Sequence, residues 1–237
     1  GQIAEIEKIK KFCDRNKIYL IEDSAEAYGC FYKKKHVGTF GVIGTFSFFG
    51  SKTITTGEGG MVVTNNKKIA EKIYKLKTVG VDHTKNNYWH DIIGYNYRMT
   101  NICAAIGLAQ LNKTKVILKN KKKVFEIYNK FLDFNKIRMN SVIKKSISSY
   151  WQITIFLKNK FYRDELRKLL EENGVETRTS FPPIHKMPMY NKNFSKKLFP
   201  NAIRLADTGI CLPSSTSLGK KEIINICSIV NRFIQSI

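Results

Sequence analysis

Three groups of residues in this 237-residue sequence have types and positions that could carry chemistry. Asp23 closes the apolar run Ile18-Tyr19-Leu20-Ile21 through Glu22. A carboxylate at the carboxyl end of a buried strand in an α/β sheet sits where the ligands of such sheets bind. Lys52 follows the strand-like Phe46-Ser47-Phe48 and precedes the glycine-rich crossing Thr56-Gly57-Glu58-Gly59-Gly60. The third group is the segment Gly94-Tyr95-Asn96-Tyr97-Arg98-Met99. Taken singly, each has a plainer meaning. Lys52 reads as one surface lysine among many, Asp23 as a helix N-cap at a strand-to-helix turn, and Ser47 as a satisfied inward hydroxyl. His36, His83 and His90 lack metal-ligand spacing and are assigned no role. Cys13, Cys30, Cys103, Cys211 and Cys227 are odd in number, far apart and free of any CxxC pair. They suggest neither a disulfide framework nor a zinc site, but small buried residues in a reducing compartment.

The elements that position such residues require a core, and 43% hydrophobic with 12% aromatic residues supplies one and excludes disorder as the main state. No apolar run approaches the ~20 residues of a membrane span and no signal-peptide pattern is visible, so the expectation is a soluble, cytoplasmic protein with no membrane partner. The formal charge of +22 would pull on any phosphate polymer. Yet the surplus is mostly Lys, strewn among Asn and Ile as an AT-rich coding bias gives. Its longest clusters, Lys33-Lys34-Lys35 and Lys121-Lys122-Lys123, come without aromatic-basic interleaving or a zinc-finger or RNP-like motif. Nucleic acid is therefore not an expected partner; a general attraction for anionic metabolites is.

Apolar spacing at Ile6, Ile9 and Phe12 predicts a helix over 5–16, followed by a buried strand from Ile18 into Glu22-Asp23. Strands follow at 42–49 and 61–64. Asn66 caps a helix whose inward face is Ile69, Ala70, Ile73, Leu76 and Val79, ended by Gly80. Thr100 opens a small-residue helix (Ala104, Ala105, Gly107, Ala109) suited to close packing, and a Lys-rich helix runs to about Leu132. Beyond Asn135 the pattern changes: a strand over 151–156, an amphipathic helix over 159–173, an extended stretch over 175–179, a strand at 210–212, and a last helix capped by Ser217. The division between a larger α/β domain (1–135) and a smaller α+β domain (136–237) is expected near 134–140.

In their order, several segments resemble one family: Ile21-Glu22-Asp23-Ser24-Ala25-Glu26-Ala27-Tyr28-Gly29, Gly44-Thr45-Phe46-Ser47-Phe48, Lys52, Thr55-Thr56-Gly57-Glu58-Gly59-Gly60, Gly94 through Asn101, and Ala104 through Leu111. The sequence is similar to the DegT/StrS-type pyridoxal-phosphate aminotransferases, which act on nucleotide-linked keto sugars. The resemblance implies a fold-type I α/β architecture, with a mixed-sheet large domain and a small α+β domain. It looser fits the second half through Arg178, Phe181-Pro182-Pro183-Ile184-His185 and Leu212-Pro213. It implies pyridoxal 5'-phosphate as cofactor, glutamate as amino donor, and a homodimer with shared active sites.

By the same resemblance, Lys52 is the catalytic lysine that bonds the cofactor and moves a proton. Asp23 holds the charge on the pyridine nitrogen, Ala25 packs against the ring, Ser47 binds the phosphate, and Asn96 reaches the phosphate of a neighbouring subunit. Glu26 stands where the wider family usually has Gln beside the cofactor's phenolic oxygen, and Phe49 and Ser51 stand where relatives often have His and Asn. Phe181 and His185 are the candidates for contact with the sugar or the nucleotide phosphate. Lys52, in place of the His of dehydrating relatives, implies transamination. Glu26 and the Asn96-Tyr97-Arg98-Met99-Thr100-Asn101 wording point, within the family, to C4 of a GDP-linked 4-keto-6-deoxymannose, with dTDP- or UDP-linked keto sugars as alternatives. Family members carry a considerable stretch before the Asp23 strand, with a phosphate-holding loop and a ring-stacking aromatic residue; the expectation is a chain lacking that N-terminal part, with an inactive truncated homologue as the remaining alternative.

Overall fold

The computed structural model describes residues 1–82, 84–85, 88–191 and 199–237; His83 lies outside them. Two compact units are present, Gly1–Leu118 with Val142–Trp151, and Lys119–Ser141 with Gln152–Ile237. The first contains α1 (Ile6–Arg15), β1 (Ile21–Asp23), β2 (Phe31–Tyr32), β3 (Lys35–His36), β4 (Ile43–Ser47), β5 (Gly60–Val63), α2 (Lys67–Lys77), α3 (Asn101–Asn112) and the start of α4 (Thr114–Phe131). The rest of α4 and β6 (Arg138–Met139) belong to the second unit, after which β7 (Ser146–Ile147) returns to the first. The second unit then resumes with β8 (Ile153–Phe156), α5 (Lys160–Glu172), β9 (Arg178–Thr179), α6 (Pro188–Asn191), α7 (Pro200–Thr208), β10 (Gly209–Leu212) and α8 (Lys220–Ser236).

In the first unit, β1 and β4 are parallel with Asp23 opposite Thr45, and β5 runs antiparallel on the other side of β4. The expected buried strand from Ile18 is a correction: β1 is three residues long, and Ile18, Tyr19 and Ile21 are exposed. Among the described residues β1 is paired with β4, and of its side chains Glu22 is the buried one. Close approach makes Gly44 obligatory, because a Cβ there would lie 2.0 Å from the Gly38 carbonyl oxygen. Ile3, Ile6, Cys30 and Val37 form the small core, against which Leu20, Tyr32, Phe40 and Phe46 pack. Asn66 and Thr100 cap α2 and α3 by accepting from the amides of Ile69 and Cys103. On α2, Ile69, Ile73 and Leu76 are half-buried, whereas Ala70 and Val79 of the expected inward face are exposed.

The second unit is a four-stranded antiparallel sheet, ordered β6-β8-β10-β9, carrying α5 and α8. Its core joins Val124 and Tyr128 of α4 with Ile153, Ile155, Leu166, Leu170, Ile210, Ile223 and Val230, among others. That core is why the boundary expected at 135/136 falls instead inside α4: Val124 and Tyr128 bury themselves with the second sheet, while β7 pairs with β2 of the first unit. Tyr128 Oη donates to the Pro213 carbonyl and Lys121 Nζ to that of Ser214, and burial pushes the Lys121 ammonium down to about 8. Ser217 does not cap α8. Its hydroxyl pairs with that of Ser215, and the helix begins after Gly219, whose amide donates to Glu222 Oε2 at 2.6 Å.

Among the described residues, no helix is long and apolar enough to cross a membrane, and no group of three or more His, Cys, Asp or Glu is placed to hold a metal. The cysteines form no disulfide; four are buried and Cys103 is half-buried.

Candidate active site

Parallel pairing of β1 and β4 brings the carboxyl ends of both strands to one edge of the sheet. Asp23 is the last residue of β1 and Ser47 the last of β4. The Asp23 carboxylate accepts the Ala25 amide at 3.1 Å, which turns the chain sharply and brings Ala25, Glu26 and Ala27 beside it. These four residues, with Gly1 and Gln2, line a cavity of about 390 Å³. A carboxylate at the mouth of an α/β sheet thus faces space rather than a helix terminus, which removes the plain N-cap reading of Asp23.

Lys52 arrives from the turn that follows β4. Its amide donates to the Phe49 carbonyl at 3.0 Å, and the Thr56 amide and Thr55 hydroxyl both return to the Phe48 carbonyl. The Thr56 hydroxyl donates to the Glu58 carbonyl at 2.7 Å. Close packing backs this turn: a Cβ on Gly107 of α3 would lie 2.7 Å from Thr56 Cγ2, so the small-residue helix does approach closely, as its composition predicts. The Lys52 side chain is only 15% exposed, and its Nζ lies 3.3 Å from Glu26 Oε1. The opposite contact is aromatic. Lys52 Nζ sits 4.6 Å from the centre of the Trp151 ring, whose indole N–H donates to the Ser51 carbonyl at 2.8 Å.

Asp23, Ala25, Glu26 and Lys52 are therefore drawn together, with Ser47 at the same sheet edge. The Ser47 hydroxyl is half-buried and accepts weakly from the Phe49 amide at 3.4 Å. Asn96 is exposed, and among the described residues its side chain makes no hydrogen bond to Asp23, Ser47 or Lys52; its backbone bridges to Thr78. Phe181 and His185 belong to the second unit. Phe181 is exposed, whereas His185 is 6% exposed, its ring 4.9 Å from that of Phe199 and its Nε2 buried without a hydrogen bond in the structure. The loop histidine is thus not a solvent-facing one.

Two participants escape a reading of the sequence. Glu22 is buried and accepts the amides of Gly38, Phe40 and Gly41 at 2.7, 2.6 and 2.6 Å. The glycines clustered at 38–44 are the only hint of such a clamp. Trp151 gives no local signal at all, being 100 residues from its partner Ser51.

The sequence matches the DegT/DnrJ/EryC1/StrS aminotransferase family over residues 1–231, and the chain belongs to that family. It is 45% identical to a GDP-perosamine synthase of Escherichia coli O157:H7 over 233 residues, covering 98% of this chain and 63% of the relative. It is 43% identical to a GDP-perosamine synthase of Vibrio cholerae, covering 100% of this chain and 65% of that protein. Among solved structures, the Helicobacter pylori aminotransferase PseC, involved in the biosynthesis of pseudoaminic acid, superposes with a TM-score of 0.91 at 27% identity, over 99% of this chain and 64% of its own. The chain therefore spans slightly under two thirds of the length of these relatives, and the fold-type I aminotransferase architecture expected from the resemblance is the one it shares with them.

Proposed function

We propose that the chain carries the lysine-bearing part of a pyridoxal-phosphate-dependent aminotransferase that moves an amino group from glutamate to a nucleotide-linked keto sugar. The observation that supports this most is the Lys52 amine 3.3 Å from Glu26, which lines a cavity shared with Asp23 and Ala25. The donor set fits the cofactor: a carboxylate for a protonated ring nitrogen, a small side chain for the ring face, an amine for the aldehyde carbon and a hydroxyl for the phosphate. Asp23, Ala25, Glu26 and Ser47 would hold it, with Asn96 contributed by a second copy in a homodimer. When bound, pyridoxal phosphate supplies an electron sink for negative charge developing on the carbon beside the transferred nitrogen.

Asp23 favours the charged form of a ring nitrogen because an opposite charge within a few ångström stabilises it. Lys52 Nζ carries the proton in both halves, taking it from one carbon and returning it to another. Glu26, 46% exposed, gives that ammonium a counter-charge that solvent screens in part. Phe181 and His185 are the candidates for the sugar-nucleotide side. The relatives named GDP-perosamine synthase favour GDP-4-keto-6-deoxymannose, aminated at C4 to GDP-perosamine; dTDP- and UDP-linked keto sugars are the alternatives. A nucleotide-sugar substrate also supports a cytoplasmic location.

The test is an absorbance titration with pyridoxal phosphate, then borohydride reduction and peptide mass mapping. The expected result is a reduced adduct on Lys52 that is lost in Lys52→Ala. Absence of any adduct on Lys52 in the full-length gene product overturns the reading. Competition among GDP, dTDP and UDP for product formation then identifies the nucleotide.

A further inference from the structure

Trp151 touches Lys52 at both of its ends. The indole N–H bonds the Ser51 carbonyl, which belongs to the peptide unit that begins Lys52, and the ring face receives the lysine's ammonium. Glu26 Oε1 shares that ammonium at 3.3 Å. Trp151 itself is 6% exposed, so the contact is largely withdrawn from water, where a cation over an aromatic face is strongest.

The segment that delivers this ring is fastened at several points within the first unit. β7 pairs with β2, and the Ser149 amide donates to the Sγ of Cys30, a fully buried residue. The Tyr150 amide donates to the Ser148 hydroxyl, and Tyr150 itself sits at φ +50. A non-glycine residue persists in the left-handed region only where its surroundings over-determine it, and such positions gather where a side chain has to be aimed. Here the residue so held is the one immediately before Trp151.

We propose that Trp151 is a positioning residue for Lys52: its N–H fixes the backbone from which the lysine springs, and its ring gives the free ammonium one resting place opposite Glu26. A lysine has four rotatable bonds and loses substantial freedom when it is placed. A fixed resting place means that Nζ begins each transfer from one geometry rather than from many. The proposal rests on the reading of Lys52 as the lysine that bonds the cofactor, and it assigns Trp151 no contact with cofactor or substrate.

The test compares Trp151→Phe, which keeps an aromatic face and loses the N–H, with Trp151→Leu, which loses both, in the full-length gene product. Each is mixed with pyridoxal phosphate and trapped with borohydride over time, and the Lys52 peptide is quantified. Capture at Lys52 should slow by about tenfold in Trp151→Leu, the loss expected when the amine starts from several side-chain geometries rather than one, and recover most of the way in Trp151→Phe, which keeps the ring face. In turnover the loss should fall on kcat, with KM for the keto sugar unchanged. Equal capture rates in wild type and Trp151→Leu overturn the positioning role and leave the proposed function standing. No capture at Lys52 in the wild type overturns both. A second measurement does not depend on the leucine variant folding. With Trp89 and any other tryptophan of the full-length product replaced by Phe, Trp151 is the sole emitter, and the reduced adduct on Lys52 must quench it; unchanged emission overturns the inference.

Discussion

Glu22 and Asp23 are adjacent carboxylates with opposite tasks, because successive side chains on a strand face opposite ways. Asp23 lines the cavity, while Glu22 turns inward and gathers three amides of the 38–41 loop. Glu22→Gln should destabilise the first unit by about 3 kcal/mol, since charge-assisted bonds are lost and an amide NH₂ is pressed against N–H donors. A fall in the thermal midpoint measures this, and an unchanged midpoint would mean that the three bonds carry no net stability. Asp23 and Lys52 could be singled out in the sequence as candidates because they lie in short motifs that keep their order. Glu22 and Trp151 were not, because what defines them is a partner in another segment. A buried glutamate looks like any other until the loop that donates to it is folded.

Local chemistry also decided which elements could be read. Asn66, Thr100 and Asn159 cap the helices they precede, each through a side chain acting three residues along. The β2-β3 hairpin was invisible: its turn residues, Lys33 and Lys34, both take positive φ without the glycine or asparagine that signals such turns. The loop after α2, which presents Asn96, is held by a device of similar kind. Lys75 Nζ pairs with Asp91 at 2.6 Å and Asp82 at 3.4 Å. Gly80 and Gly94 cross so closely that a Cβ on Gly94 would lie 2.1 Å from the Gly80 nitrogen. Gly94→Ala should cost about 2–3 kcal/mol by overpacking. Hydrogen bonds from the Thr84 hydroxyl and amide, with Lys75 adding to them, hold the Asp82 carboxyl down at about 2, against an ordinary 3.8. A carboxyl lowered in the folded state binds its proton later than in the unfolded chain. Its stabilisation is therefore fully present above the ordinary value and is lost as pH falls through about 2. Amide-exchange protection at Val79 and Tyr95, which bond within this loop, should decline over that window, and Asp82→Asn should flatten the decline. A wild-type protection profile with no such decline would remove Asp82 as the anchor.

At the scale of the whole molecule the sequence announces a surplus of 22 positive charges, while the fold places lysines on exposed helix faces in i, i+4 pairs such as Lys122–Glu126 and Lys168–Glu172. Exposed pairs of this kind contribute little to stability, so the surplus is better understood as a field than as a set of bonds. The two-part architecture could be read from the change of pattern beyond Asn135, but not the boundary itself, because α4 is one uninterrupted helix that starts in the first unit and buries Val124 and Tyr128 in the core of the second. A field acts on whatever anion approaches, and a nucleoside-diphosphate sugar brings at least two negative charges, where glutamate brings a net one. Screening shortens the reach of the field from about 10 Å at 0.1 M salt to about 3 Å at 1 M. If the chain acts as proposed on a nucleotide sugar and glutamate, and the surplus draws in the former, kcat/KM for the nucleotide sugar should fall by about tenfold over this range, kcat should hold, and the half-reaction with glutamate should respond less. A polyanion such as heparin should compete only weakly once salt is added, because the lysine clusters come without aromatic-basic interleaving or a nucleic-acid-binding motif. A kcat/KM that stays flat from 0.1 to 1 M, at about equal kcat, would assign the surplus no part in substrate capture and leave it as surface composition alone.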